Sequence, residues 1–214
     1  MEQAVKKNLI YFIWWNDANG MLRYNLDLLE RYIDVFDGQK IIKIADAKPQ
    51  DIPAFLKGST IVKNDVIYNE AIHFTNSLKQ FKQDGSQTFY GHAKGVSRHP
   101  NQALKYWVKA LYKHNLEEPT VLTDKMFSGC FGKLKQFSTQ VPYPWHYSGS
   151  FYWFKNEVLK RPMPEVNSRW FTECFPAMMA NVNEAEFRYY VSDYPYSVYS
   201  DNFWRRNKQL IEKL

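Results

Sequence analysis

Two hydropathy patterns alternate along the first half of the chain. Residues 8–15 form an uninterrupted apolar run, which is typical of a strand buried on both faces. Residues 21–36 instead repeat apolar side chains every three or four positions, which predicts an amphipathic helix. Gly38 is expected to end this helix in the left-handed conformation. The same patterns predict further strands at residues 40–45, 60–63 and 87–90, and further helices at residues 51–57 and 68–83.

The second half has a less regular pattern. Its most apolar strand is predicted at residues 147–154, where Phe151 and Trp153 are expected to face the core. The remaining predictions are a strand at residues 125–134, helices at residues 103–115, 171–180 and 205–214, and a Tyr-rich tail at residues 191–203. No interdomain linker or internal repeat is apparent.

The alternation of strands and helices predicts one α/β domain with a mostly parallel sheet flanked by helices. Ligands of such sheets bind beyond the carboxyl ends of the strands. Two loops therefore become candidates for binding, at residues 16–20 after the first strand and residues 91–99 after the fourth.

Composition narrows the function classes. The 214 residues are 45% hydrophobic and 23% charged, which excludes a disordered or collagen-like chain. The formal net charge of +6 and the 17% aromatic content favour an anionic, stackable partner such as a nucleotide diphosphate, an anionic glycan or nucleic acid, although a solvated basic surface is the simpler reading. Two cysteines, no apolar run of membrane length and no cleavable leader together predict a cytoplasmic protein.

Common catalytic motifs are missing from the sequence, including the dinucleotide-binding, P-loop, zinc-protease and serine-hydrolase patterns. What remains is FYGHAKGVS at residues 89–97, which places His92, Lys94 and two glycines at a strand end. Gly91 and Gly95 would let backbone approach a ligand, and Lys94 can neutralise a phosphate. An ordinary surface loop is the alternative.

Two later segments complete the candidate chemistry. The segment WHYSGSFYWF at residues 145–154 places small residues beside aromatic rings. This pattern fits a slot in which a sugar ring could lie, and it equally fits a core strand. Glu173 is a lone carboxylate in an apolar stretch, where burial would make it a stronger base. Its alternative role is to stabilise the helix that it begins.

The order of these pieces resembles a GT-A-type glycosyltransferase. More closely, it is similar to a bacterial and viral glycosyltransferase-like group with an F-Y-x-H-x-K-G element, a G-C-F strand, an S/A-G-x-F-x-W-F strand and a helix with Glu. The resemblance covers roughly residues 8–180. It implies a Rossmann-like mixed sheet, with residues 1–100 binding the nucleotide sugar, residues 101–204 binding the acceptor and catalysing transfer, and residues 205–214 forming a terminal helix.

The resemblance also implies roles by position. Glu173 would be the acceptor base, while Lys94, His92 and Arg98 would stabilise the departing diphosphate. No Asp-x-Asp stands where such enzymes hold a divalent metal, and Asp124 is the nearest downstream carboxylate that could bind one. The residues implied to contact the donor are Trp15, Asn16, Asp17, Gly91 and Gly95. The residues implied to contact the acceptor are His146, Tyr147, Ser148, Gly149 and Trp153.

Three functions are therefore open. The first is transfer of a sugar from a nucleotide sugar, a UDP-sugar by preference, to a glycan. The second is transfer to a hydroxylated DNA base of a phage-type modification system, which would require base flipping and salt-sensitive binding. The third is a non-catalytic module that binds a sugar or nucleotide. Either stereochemical outcome, retaining or inverting, fits the first two.

Overall fold

The computed structural model describes residues 5–64, 69–117, 124–134, 143–190 and 200–207. Its sheet has eight strands, of which seven follow the order β3-β2-β1-β4-β7-β5-β6, and the eighth, β8, also pairs with β5. The strands are β1 (Lys7–Trp14), β2 (Lys40–Ala45), β3 (Thr60–Val62), β4 (Gln87–His92), β5 (Phe127–Lys133), β6 (His146–Tyr147), β7 (Tyr152–Lys155) and β8 (Ala185–Tyr190). The helices are α1 (Met21–Tyr32), α2 (Asn69–Leu78), α3 (Gln102–Leu116), α4 (Phe171–Met179) and α5 (Asp201–Arg206).

Strand β1 lies between two parallel neighbours, β2 and β4, and six of its eight residues are buried. This explains its continuous apolar run, because both faces of an inner parallel strand are covered. Strand β4 pairs antiparallel with β7, which pairs antiparallel with β5, so β5 and β8 run in the same direction as β1. The predicted α/β class, with a mixed and mostly parallel sheet flanked by helices, is confirmed.

Each face of the sheet carries its own core. On one face, Leu9, Tyr11 and Phe89 pack with α1 and α3, and this core includes Phe151 and Trp153 as predicted. On the other face, α2 and α4 cover a second set of buried residues centred on the aromatic side chains of β4, β5 and β7. The carboxyl ends of β1 and β4 therefore emerge between two helical layers.

Several boundaries differ from the predictions. The predicted helix at residues 51–57 is a pair of single 3-10 turns, and the helix predicted to reach residue 83 ends at Leu78. The strand predicted at residues 147–154 is interrupted between β6 and β7, both of which pair with β5. The interruption falls at Gly149 and Ser150, which both take positive φ.

Two further predictions concern the chain's end and Gly38. Strand β8 was not predicted, and α5 begins and ends before most of the predicted terminal helix. Residues 191–199 and 208–214, which contain most of the Tyr-rich tail and of that helix, lie outside the described residues. Gly38 does not adopt a positive φ; a Cβ there would lie 2.2 Å from Oδ1 of Asn8, so close packing is what requires the glycine. No described helix has both the length and the apolarity needed to cross a bilayer.

Candidate functional site

A cavity of about 650 Å³ opens at the carboxyl ends of β1 and β4, on the face covered by α2 and α4. This is the edge at which ligands of open α/β sheets bind. Its walls come from the end of β1, the start of α2, the β4–α3 loop and the two residues before α4. The lining residues are Phe12, Trp14, Asn64, Asn69, Glu70, Ala71, His92, Ala93, Lys94, Gly95, Val96, Ser97, Arg98, Arg169 and Trp170.

A carboxylate–imidazole pair forms one wall of the cavity. Glu70, in the first turn of α2, has its Oε1 2.7 Å from Nδ1 of His92, the last residue of β4. The same oxygen accepts hydrogen bonds from the Tyr90 hydroxyl at 2.5 Å and the Thr172 hydroxyl at 2.9 Å. Three elements thus converge on a single carboxylate oxygen.

The charge state of Glu70 follows from these contacts. Burial alone would raise the pKa of this carboxyl, but the neighbouring His92, the Tyr90 hydroxyl and the Lys94 ammonium outweigh burial and lower the pKa to about 2. Glu70 is therefore ionised at neutral pH and acts only as a hydrogen-bond acceptor.

Two buried polar atoms on this wall have no hydrogen-bond partner among the described residues. They are Nε2 of His92 and Oδ1 of Asn69, whose Nδ2 donates to Asn64 at 2.8 Å. Both residues line the cavity, and Asn69 is only 6% exposed. Leaving such an atom without a partner costs about 1–3 kcal/mol, which a bound ligand would recover.

The β4–α3 loop is held in place by two asparagines from the β1–α1 region. The Asn25 side chain, which is buried, accepts from the Lys94 backbone N–H at 3.0 Å and donates to the Lys94 carbonyl at 2.9 Å. Asn19 donates to the carbonyls of Gly95 and Arg98. The ammonium of Lys94 lies 5.1 Å from the centre of the Trp107 ring. The loop's conformation is thereby fixed before any ligand binds.

The cavity carries an excess of positive charge. The described lining residues include three basic side chains, Lys94, Arg98 and Arg169, but one carboxylate, that of Glu70. The Arg169 guanidinium stacks over the Trp170 ring, with its central carbon 4.2 Å from the ring centre. A cationic rim beside aromatic walls suits an anionic ligand that also has a planar or ring-shaped part.

The structure places the predicted catalytic residues in two locations. Lys94 and His92 line the cavity, whereas Glu173 does not. Glu173 is 7% exposed, lies in the first turn of α4, and accepts a 2.8 Å hydrogen bond from the Gly149 N–H. The Glu173 carboxylate therefore stabilises the bulge between β6 and β7.

The predicted donor contacts are divided between two cavities. Gly95 and Arg98 line the first cavity, but Trp15 and Asp17 line a second one of about 380 Å³ between α1 and the loop after β2. Asn16 caps its own loop by accepting from the Ala18 N–H. Gly91 lines neither cavity; a Cβ there would meet the rings of Phe89 and Tyr11, so core packing explains this glycine.

The predicted acceptor contacts lie mostly in the core. His146, Tyr147 and Trp153 are at most 4% exposed, and the Trp153 indole donates to the Asn115 carbonyl at 2.9 Å. Ser148 donates its N–H to Phe131 in the sheet, and Gly149 is buried against Leu111 and Trp107. None of the five lines the cavity, so the aromatic strand serves packing in this conformation.

The predicted metal ligand lies at the opposite edge of the sheet. Asp124 precedes the amino end of β5, which runs parallel to β1, whereas the cavity is at the carboxyl end. Within the described ranges, no group of three or more His, Cys, Asp and Glu side chains could hold a metal ion. Oε1 of Glu70, the carboxylate in the cavity, already accepts three hydrogen bonds. These residues do not fit a protein-held divalent metal.

Sequence reasoning missed Glu70, Asn69 and Arg169. Asn69 and Glu70 begin α2, and Arg169 lies two residues before α4, so the elements themselves could be predicted. Only the sheet topology brings these residues to the same cavity as His92 and Lys94. A usable signal existed for Glu70, because an acid in the first turn of a helix after a parallel strand lies near the carboxyl edge.

No family model matches the chain, and no curated protein matches it. Among solved structures, the chain is similar to glucosyl-3-phosphoglycerate synthase from Mycobacterium tuberculosis in complex with Mn2+, UDP-glucose and phosphoglyceric acid. That similarity has 13% identity and a TM-score of 0.47, and it covers 98% of this chain and 78% of that one.

Two further solved structures are also similar. One is CMP:2-keto-3-deoxy-manno-octonic acid synthetase complexed with CTP, at 12% identity and a TM-score of 0.38, covering 96% of this chain and 99% of that one. The other is 4-diphosphocytidyl-2C-methyl-D-erythritol synthase from Anaerococcus prevotii, at 11% identity and a TM-score of 0.41, covering 97% and 94%. These similarities are too distant to assign the chain to a family, and its resemblance to the motif-bearing glycosyltransferase-like group stays a prediction.

Proposed function

We propose that the chain is a nucleotide-sugar-dependent glycosyltransferase, with a UDP-sugar as the first donor to test. The observation that supports this most is the cationic cavity at the carboxyl edge of β1 and β4, where Lys94, Arg98 and Arg169 surround a space of about 650 Å³. Binding pockets for ligands of nucleotide size have volumes of this order.

The positive side chains suit the leaving group of such a reaction. When the bond between the anomeric carbon and the diphosphate breaks, negative charge develops on the diphosphate oxygen. Lys94 and Arg98, on a loop pre-positioned by Asn25 and Asn19, would stabilise that charge without reorganising. No step of this proposal runs through a metal.

The rest of the donor site stays a prediction. Trp15, Asn16 and Asp17 follow the end of β1, but Trp15 and Asp17 line the second cavity. A Trp15→Ala variant tests their role, because a residue that holds the nucleotide base would weaken binding of UDP and of uridine alike.

The acceptor is proposed to be a hydroxyl, carried either by a glycan or by a hydroxylated DNA base. Arg169 is exposed at the cavity rim, where it is available to a glycan acid or a backbone phosphate. Duplex DNA binding that falls steeply between 50 and 200 mM salt, by about a thousandfold or more, would favour DNA. Absence of duplex binding at low salt would leave the glycan.

A non-catalytic sugar- or nucleotide-binding module is the second candidate. The displacement of Glu173 from the cavity favours it, because the carboxylate expected to be the base instead accepts a backbone hydrogen bond. This candidate predicts donor binding without transfer or donor hydrolysis.

A thermal-shift panel of UDP-, GDP-, TDP- and CMP-sugars, with and without Mn2+, tests the proposal. A ligand present at 100 times its Kd stabilises the folded state by about 2.7 kcal/mol, which raises Tm by several degrees. The donor that stabilises most is then assayed for nucleotide release. No shift with any donor at millimolar concentration would contradict the proposed function, and a shift without turnover would favour the binding module.

A further inference from the structure

We propose that His92 is the general base of the transfer reaction and that Glu70 is the residue that orients it. This inference rests on the proposed glycosyltransferase function and deepens it. It replaces the assignment of His92 to the diphosphate by a different chemical role at the same site.

The hydrogen bonds of Glu70 determine which ring nitrogen of His92 carries a proton. An ionised carboxylate only accepts, so the 2.7 Å contact between its Oε1 and Nδ1 requires a proton on Nδ1. In the neutral ring, Nε2 is then a bare acceptor. A bare acceptor repels a phosphate oxygen but receives a hydroxyl proton.

Nε2 is also the atom of this ring that lacks a protein partner in the described residues. The ring lines the cavity, and its edges are packed by Tyr90 and Phe151, whose ring centres lie 6.4 and 6.1 Å away. The other titratable groups that interact with Glu70 are Tyr90 from the same strand as His92, Lys94 from the following loop, Tyr11 of β1 and Tyr152 of β7. His92 is therefore held in one orientation, with Nε2 buried at the cavity wall and without a protein partner among the described residues.

A second bare acceptor identifies the chemistry of the ligand. Oδ1 of Asn69 is unpartnered among the described residues and lines the same cavity. Two acceptors that line the same cavity fit a ligand that donates from hydroxyl groups, as a sugar or a polyol does. They do not fit a ligand made of phosphate oxygens alone.

Neither carboxylate is as well placed to be the base itself. Oε1 of Glu70 accepts three hydrogen bonds, and the carboxyl has a pKa of about 2, so it binds a proton weakly. Glu173 faces Gly149 and does not line the cavity. A His oriented by an acid through its far nitrogen is a familiar arrangement for taking a proton from a hydroxyl.

The step balances without a further reactant. The acceptor hydroxyl gives its proton to Nε2 of His92, and its oxygen forms a bond to the anomeric carbon of the donor. The bond between that carbon and the diphosphate oxygen breaks, and the electron pair leaves on the diphosphate beside Lys94. Glu70 stabilises the imidazolium formed at His92, which later returns the proton to water.

Kinetics of variants test the roles. Nucleotide release is measured with the donor that stabilises the protein most in the panel, starting with UDP-glucose, with water as the acceptor when no other is supplied. We expect His92→Gln to lower kcat at least about a hundredfold while the donor KM stays within about threefold. The exposed His99→Gln, on the same loop and outside the cavity lining, is the matched control and should leave both constants unchanged.

Substitutions of Glu70 separate orientation from folding. Glu70→Gln keeps an acceptor for Nδ1 but removes the charge that stabilises the imidazolium, so kcat should fall about tenfold or more. Glu70→Ala loses both and should fall further, and Glu70→Asp should recover part of the loss. A merely structural role predicts instead that all three variants change Tm without this graded order in kcat.

A spectroscopic measurement on the unmodified protein needs no variant to fold. Long-range ¹H–¹⁵N spectra of the imidazoles should show that the neutral form of the His92 ring carries its proton on Nδ1 and none on Nε2. The opposite tautomer would overturn the inference, as would full turnover in His92→Gln or a loss of turnover confined to Glu173→Gln. In both kinetic cases the glycosyltransferase function would stand, whereas failure of every donor to bind would remove that function and this inference with it.

Discussion

The Asn25 side chain provides a sharp test of how the cationic loop is positioned. Replacing Asn25 with Leu keeps the side chain's approximate volume but removes both hydrogen bonds to the backbone of Lys94. The Lys94 N–H and carbonyl would then lose their partner in a half-buried site. Each unsatisfied group costs about 1–3 kcal/mol, and partial exposure places this pair near the lower end. We therefore expect a loss of about 2 kcal/mol in the free energy of unfolding.

The assay is urea unfolding followed by Trp fluorescence, combined with calorimetric titration of UDP. The control is Asn76→Leu, the same substitution at an exposed position of α2, which should change stability by less than about 0.5 kcal/mol. Because a displaced loop would no longer hold Lys94 in the lining of the cavity, UDP affinity of the Asn25 variant should fall about tenfold or more. A variant as stable as the control, with unchanged UDP affinity, would refute the proposed positioning by Asn25.

Two further predictions concern packing and acid stability. Gly132→Ala should destabilise the fold by about 3 kcal/mol in urea unfolding, because the new Cβ would lie 1.9 Å from the Phe187 ring. The control Gly85→Ala, which has open space around the new Cβ, should be neutral. Equal stabilities of the two variants would contradict the packing of β5 on β8. Since His92 and its neighbours lower the pKa of Glu70 from 4.5 to about 2, its ionised form contributes stability above about pH 4.5 that is lost as pH falls toward 2. The difference in unfolding free energy between wild type and Glu70→Gln should therefore shrink from pH 5 to pH 3, and a constant difference would rule out the shift.

Much of the sheet could be predicted because its signals are local. Strand β1 is a continuous apolar run since parallel strands cover both its faces, and the predicted bounds of β2, residues 40–45, agree with the structure. Strand β8 was missed because its pairing with β5 depends on residues more than fifty positions away. The break between β6 and β7 was missed because Ser150 adopts a left-handed conformation, at a φ of 57°, that a serine does not predict.

The candidate site was only half predictable for a related reason. His92 and Lys94 stand at the end of one strand, where the sequence marks them clearly. Glu70 and Asn69 reach the same cavity from α2, and Arg169 reaches it from the segment before α4. Hydropathy does not reveal which of many surface acids meets a given histidine. Glu173, selected for its apolar surroundings, is indeed buried, but its carboxylate bonds a backbone N–H outside the cavity lining.

The central claim is that the loop after β4 binds a diphosphate in the cavity at the carboxyl edge of the sheet. Calorimetric titration of UDP and of uridine, with wild type, Lys94→Gln and the exposed control Lys105→Gln, tests it most directly. We predict that wild type and the control bind UDP at least tenfold more tightly than uridine, and that Lys94→Gln loses most of that difference while binding uridine as before. Equal affinity of wild type for UDP and uridine, or an unchanged preference in Lys94→Gln, would contradict the claim.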